Sequence, residues 1–107
     1  MALELTTLGE GEAVRTVVPT GDVDVSCAAQ LRDAIDSVLV EGTTEVVVDL
    51  AEVPYIDSTG VGVLVGAAHR ALDAGMRLRV TNPQRNVARV FGLLGIDREL
   101  GTIEAAE

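Results

Sequence analysis

A chain of 107 residues holds one hydrophobic core and leaves no second lobe to close a cleft, so residues 1–107 are expected to form a single domain. Hydrophobic residues make up 48% of it, yet with one Tyr, one Phe and no Trp the core must be built from Val, Leu, Ile and Ala, which disfavours an aromatic-lined pocket. A formal net charge of -9 opposes binding to nucleic acid, and because all eight basic residues are Arg, chemistry that needs a lysine amine is excluded.

In chain order, residues 2–8 alternate around Leu3 and Leu5, residues 9–12 (Gly-Glu-Gly-Glu) supply a turn, and the apolar run 13–18 follows, which predicts an antiparallel hairpin. Pro19, Gly21, Asp22 and Asp24 end the second strand. Ser26 then offers a cap for a helix with Leu31, Ile35, Val38 and Leu39 at helical spacing, closed by Gly42. The β-branched run Val46-Val47-Val48 predicts an internal strand over 45–50, buried on both faces.

Past Pro54 a second helix is expected from Asp57 or Ser58 to about Ala74, with Val61, Leu64, Val65, Ala68 and Leu72 on its core face and Gly75 stopping it. A further strand covers 77–81. Asn82-Pro83 reads as a cap with proline at the first helical position, followed by the stripe Val87, Val90, Phe91 and Leu94 and a Schellman ending at Gly95-Ile96. One short strand near Thr102-Ile103 completes the chain. This order is α/β, with a mixed sheet of four to five strands, an N-terminal hairpin and three or more helices packed against it.

The segment 57–62, Asp-Ser-Thr-Gly-Val-Gly, brings an acidic, hydroxyl-rich turn to a helix start, where unpaired N–H groups and the helix dipole tolerate negative charge. A phosphate on Ser58 fits there without unfolding the domain, although on spacing alone an ordinary cap at Asp57 or Ser58 is the better account. On the face opposite the apolar stripe lie Gly62, Gly66, His69, Arg70 and Asp73. Two helix glycines cost about 1 kcal/mol each relative to Ala, and bare backbone on an exposed face suits close approach by another protein.

Four segments together resemble the STAS-domain anti-sigma factor antagonists of bacteria: residues 21–24 (Gly-Asp-Val-Asp), 48–50 (Val-Asp-Leu), 57–60 (Asp-Ser-Thr-Gly), and the run from Asn82-Pro83 through Val90-Phe91 to 94–96 (Leu-Gly-Ile). The resemblance covers nearly the whole chain. It implies a partner switch: the unphosphorylated domain binds an anti-sigma factor with serine kinase activity and frees the sigma factor, phosphorylation of Ser58 abolishes that binding, and a serine phosphatase restores it. By the same match Asp24, Asp57, Thr59 and Gly60 belong with Ser58 to the kinase-binding surface, which the exposed Gly62 and Gly66 extend. Many relatives continue into a final helix, whereas few residues follow Ile103 here.

Other readings are a STAS subunit of another signalling or lipid-transport assembly, and a phosphoaspartate receiver suggested by Asp49 at a strand end. The receiver fails for want of a lysine and of an acidic pair after its first strand. No enzyme is expected, because His69, the only histidine, lies eleven residues along the same helix from Ser58, or about 16 Å. Cys27 is the only cysteine, which suits a reducing compartment, and near a helix start it reads as a partly buried inert thiol rather than a redox group. The scattered carboxylates lack metal-ligand spacing, so neither metal nor cofactor is expected. Neither a basic stretch leading an apolar one nor an apolar run of about 20 residues is present, so the expectation is a cytoplasmic protein without membrane contact.

Overall fold

A computed structural model describes residues 3–95 and 103–104. Its elements are β1 (Glu4–Leu8), β2 (Val14–Thr20), α1 (Ala28–Val38), β3 (Glu45–Asp49), α2 (Ser58–Asp73), β4 (Arg77–Thr81), α3 (Arg85–Leu94) and β5 (Ile103–Glu104). They form one five-stranded sheet in the order β1-β2-β3-β4-β5, antiparallel between β1 and β2 and parallel thereafter.

The hairpin turns where Glu12 N–H donates to the Gly9 carbonyl at 2.8 Å. Only glycine fits at position 9: its φ is +85°, and a Cβ there would lie 2.5 Å from the Val14 carbonyl oxygen. Strand β2 runs past Val18 through Pro19 to Thr20. A proline is tolerated because pairing with β3 stops at Val17, so the missing N–H breaks no ladder on that side.

Each crossover steps in the same direction across the sheet, so right-handed connections put α1, α2 and α3 on one face. The residues that point there, Val17, Val46, Val48, Leu78 and Val80, are buried against Leu31, Ile35, Leu64 and Phe91. On the other face Thr16, Val47 and Arg79 lie side by side. Val47 is only 8% exposed there although no described helix covers it, because the long Arg79 side chain reaches across to Glu45, 3.4 Å away. Burial of β3 on both faces thus arises in two ways, from helices on one side and from neighbouring strand side chains on the other.

Several local expectations are corrected. Helix α1 is capped at Cys27, with no side-chain cap bond, because the Ser26 hydroxyl is turned to Asp24. It ends at Val38 with Leu39 at the C-cap, and Gly42, at φ +95°, belongs to the turn beyond. In α2 the buried face is Val61, Leu64, Ala67, Ala68 and Ala71, with Gly60 in its first turn, while Leu72 is 64% exposed. Helix α3 begins two residues after Pro83, with Gln84 at the cap. Asn82 instead takes φ +54° and sends its amide to Asp49 at 3.4 Å. Leu94 is half exposed, and Gly95 ends α3 in the left-handed conformation as expected. Ala2, Ile96, Thr102 and the end of the chain after Glu104 lie outside the described residues.

Candidate functional site

The site forms where β2 and β3 deliver their chains to α1 and α2. After β3, Leu50 N–H donates to Thr81 and Val53 N–H returns to Leu50, folding residues 50–53 into a turn. The start of α3 holds that turn from the other side: Gln84 donates to the Ala51 carbonyl at 3.0 Å and Asn86 to the Pro54 carbonyl at 2.6 Å. Sequence reading missed both amides, whose only signal is their place at a helix start.

The two loops are then stitched together. Gly21 N–H donates to Glu52, Val23 N–H to the Tyr55 carbonyl at 2.9 Å and Asp57 N–H to the Val23 carbonyl at 3.1 Å, around an isolated parallel bridge between Val23 and Ile56. Val23 is fully buried and Ile56 nearly so. A fixed ledge results, and α2 rises from it.

Asp57 is the N-cap of α2, with extended backbone, and its carboxylate serves two elements. Oδ1 accepts from Gly60 N–H at 2.9 Å, satisfying one donor of the first turn. Oδ2 accepts from Val25 N–H at 3.2 Å, tying the loop before α1 to the start of α2. Ser58 and Thr59 follow as exposed residues whose N–H groups have no acceptor within the helix. Gly60 is buried: a Cβ there would stand 2.7 Å from Val23 Cγ1 and 2.8 Å from Ile56 Cγ1. Its place is against the ledge, beneath the exposed hydroxyls.

Asp24 lies one residue before Val25 and shares this surface. Its Oδ1 accepts from the Ser26 hydroxyl and from Ser26 N–H at 3.0 Å. The side-chain bond first and the backbone bond second hold its carboxyl below the ordinary value of 3.8. A depressed folded value means that the ionised group favours the fold above the ordinary carboxyl range, a contribution lost as pH falls through the folded value. An NMR titration is expected to place the Asp24 midpoint below the ordinary value and to move it upward in Ser26→Ala. An unmoved midpoint in that variant would refute Ser26 as the cause.

Farther along α2, Gly62 faces open space, while a Cβ on Gly66 would lie 3.4 Å from an Arg70 guanidinium nitrogen. That guanidinium bonds Asp36 on α1 at 2.8 Å, so the bare backbone at Gly66 leaves room for an interhelix ion pair. His69 is exposed on this side of the helix, and the buried Cys27 thiol donates to the Asp22 carbonyl at 3.2 Å. Asp22, Asp24, Glu52 and Asp57 belong to the two stitched loops and Asp49 ends β3 just before them, and the sequence holds no basic residue or histidine between Arg32 and His69. Among the described residues no group of three or more His, Cys, Asp or Glu is placed to hold a metal ion, and no helix is long and apolar enough to cross a membrane.

Two neighbours of Ser58 escaped sequence reading. Val25 is 74% exposed and Tyr55 50% exposed, both large apolar side chains beside the start of α2.

Comparison with known proteins adds three findings. The sequence profile of a family described as Mlab, STAS domain, matches residues 7–103. The anti-sigma-B factor antagonist of Staphylococcus epidermidis is 30% identical over 87 residues, 81% of each chain. Among solved structures, an anti-sigma factor antagonist from Mycobacterium paratuberculosis superposes with a TM-score of 0.83 at 21% identity, covering 97% of this chain and 86% of the other. The Bacillus cell fate determinant SpoIIAA in its phosphorylated form does so with a TM-score of 0.72 at 20% identity, covering 97% and 93%. At those identities the two structures establish the fold alone.

Proposed function

Because the chain belongs to the STAS domain family, we propose that it is an anti-sigma factor antagonist working as a phosphorylation-controlled partner switch. The observation that carries this reading is Ser58: an exposed hydroxyl in the first turn of α2, on a rigid ledge, beside N–H groups that have no acceptor in the helix. The unphosphorylated domain binds an anti-sigma factor that is also a serine kinase, and the sigma factor is freed. In the reverse step the Ser58 oxygen attacks the γ-phosphorus of ATP, the bridging P–O bond breaks, ADP leaves, and the hydroxyl proton passes to a base on the partner. A serine phosphatase removes the phosphate and resets the switch.

In this scheme the domain is a regulator and supplies no catalytic group. His69 is too far along α2 to act as a base for Ser58. Asp57 acts by position, holding the helix start and the Val25 loop in one arrangement. Asp24 and Thr59 belong to the surface the partner covers, Gly60 lets that surface pack tightly from beneath, and Gly62 continues it along α2 as bare backbone, whereas the half-buried Gly66, expected to be exposed there, lies beneath the Arg70–Asp36 ion pair. The scheme requires the compartment of the transcription machinery, the cytoplasm.

Incubation with Mg²⁺-ATP and each purified anti-sigma factor serine kinase of the source organism is expected to place one phosphate on Ser58 and none on Thr59. Dominant phosphate on Thr59, or full incorporation in Ser58→Ala, would refute the assignment. The family description Mlab, which is not an antagonist name, favours one second reading, a STAS subunit of another signalling or lipid-transport assembly. That reading gains if none of those kinases binds or modifies the folded protein.

A further inference from the structure

We infer that Val25 and Tyr55, both close to Ser58, are the apolar anchors by which the domain docks on its kinase. The inference rests on the reading of Ser58 above and adds the residues and the partner chemistry that hold the complex together. Single exposed apolar side chains are ordinary on protein surfaces. What distinguishes these two is that both are large, exposed and fixed in place beside a hydroxyl that an enzyme must reach.

The backbone of each is pinned. Val25 N–H is held by Asp57 Oδ2 at 3.2 Å, and the Tyr55 carbonyl is held by Val23 N–H at 2.9 Å, next to the buried bridge of Val23 with Ile56. Their side chains, 74% and 50% exposed, therefore project from a rigid ledge, and little conformational freedom remains to be lost when a partner covers them. Tyrosine in particular gives a large contact area with few rotatable bonds and recurs among the residues that dominate interface energies.

Distance requires their coverage. Phosphoryl transfer brings the phosphorus to roughly 3–3.5 Å from the Ser58 oxygen. A specific interface takes about 800 Å² from each partner, a disc of roughly 16 Å radius. Tyr55 is three residues from Ser58, at most about 11 Å between Cα atoms, and the Val25 backbone touches the residue adjacent to Ser58. A kinase face of that size centred on Ser58 therefore buries both side chains.

Charge specifies the rest of the partner. Asp22, Asp24 and Glu52 belong to the same two stitched loops as the anchors and outnumber the one cation, Arg85, that the start of α3 brings to them between Gln84 and Asn86. The matching face has apolar hollows for Val25 and Tyr55 inside a cationic rim, around the nucleotide at its centre. The hollows supply affinity. The rim steers approach.

The test compares wild type, Val25→Ser, Tyr55→Ser and the double variant with Val14→Ser. Val14 is 47% exposed at the far end of β2, about 20 Å of strand from Thr20. Each protein is titrated calorimetrically against the purified serine kinases with ADP, and its Ser58 phosphorylation rate is measured with Mg²⁺-ATP. All the altered side chains are exposed, and thermal melting verifies that each variant is folded. Each anchor variant is expected to lose about tenfold in affinity and in kcat/KM for Ser58, and the double variant about a hundredfold, with Val14→Ser matching wild type. Added salt should slow association of the wild type and both anchor variants by the same factor. If wild type binds and is phosphorylated on Ser58 while folded Val25→Ser and Tyr55→Ser equal it, the anchors are wrong and the switch stands. If wild type neither binds nor is modified, the switch falls and the anchors with it.

Discussion

Gly60→Ala is expected to lower the stability of the domain by about 2 kcal/mol, even though alanine is the better helix former. The added methyl would stand 2.7 Å from Val23 Cγ1, 2.8 Å from Ile56 Cγ1 and 3.0 Å from the Val23 carbonyl oxygen. Both side chains are buried and cannot swing away. The carbonyl cannot retreat either, because it accepts from Asp57 N–H and so positions the cap of α2. Overpacking of this kind costs roughly 1–3 kcal/mol, more where backbone must move, and helix propensity returns about 1 kcal/mol. Gly62→Ala is the matched control. Nothing lies within 4 Å of its Cβ position, so it should gain about 0.5–1 kcal/mol. Urea denaturation of both variants measures the difference, and thermal melting should show Gly60→Ala roughly 10 °C below wild type. Equal stability of the two would mean that α2 does not rest on the Val23 and Ile56 ledge.

That ledge also marks where sequence reading stopped. Local signals were strong enough to place β4 and to bring α2 from a start at Asp57 or Ser58 to the glycine after it, with the structure choosing Asp57 as the cap. The order of elements, the hairpin and the short last strand followed from the same kind of signal. Gly60 was different. Its resemblance to a family signature assigned it to a partner surface, while its contacts with Val23 and Ile56 depend on a bridge between loops 33 residues apart, which no local pattern records.

The same limit explains the rotated face of α2. Hydropathy favoured Leu72 for the core, but the helix buries Ala67 and Ala71, small residues that let it pack closely, and leaves Leu72 in solvent. At Asn82-Pro83 the dipeptide had the composition of a helix start. The chain instead turns through a left-handed Asn82 whose amide reaches Asp49, because β4 must end beside β3 before α3 can begin. Val25 was unreadable for a related reason: only the folded chain ties it to Asp57, beside Ser58, and only burial shows that Tyr55, three residues from Ser58, stays exposed.

Ser58→Ala is expected to bind the anti-sigma partner as tightly as the unmodified wild type and never release it, whereas the phosphorylated wild type binds about a hundredfold more weakly. The domain itself has room for the charge. A phosphate of roughly -1.5 to -2 charges at the first turn of α2 meets the unpaired N–H groups of Ser58 and Thr59, which offset its repulsion from Asp57, so the melting temperature should change little. Repulsion across the interface is harder to avoid. A kinase that has handed its γ-phosphate to Ser58 still holds nucleotide phosphates opposite that residue, inside whatever cationic rim surrounds them. One pair of unit charges about 4 Å apart costs roughly 4 kcal/mol at an effective dielectric of 20, and screening brings this toward the 2.7 kcal/mol or so that corresponds to a hundredfold loss. Asp at position 58 carries less charge on a shorter arm and should weaken binding by a smaller factor than phosphate does. Calorimetric titration of the wild-type, Ala, Asp and phosphorylated forms against the purified partner separates these effects. Four folded proteins of equal affinity would remove Ser58 as the switch, and a phosphorylated form that melted early would move the cause from the interface into the domain.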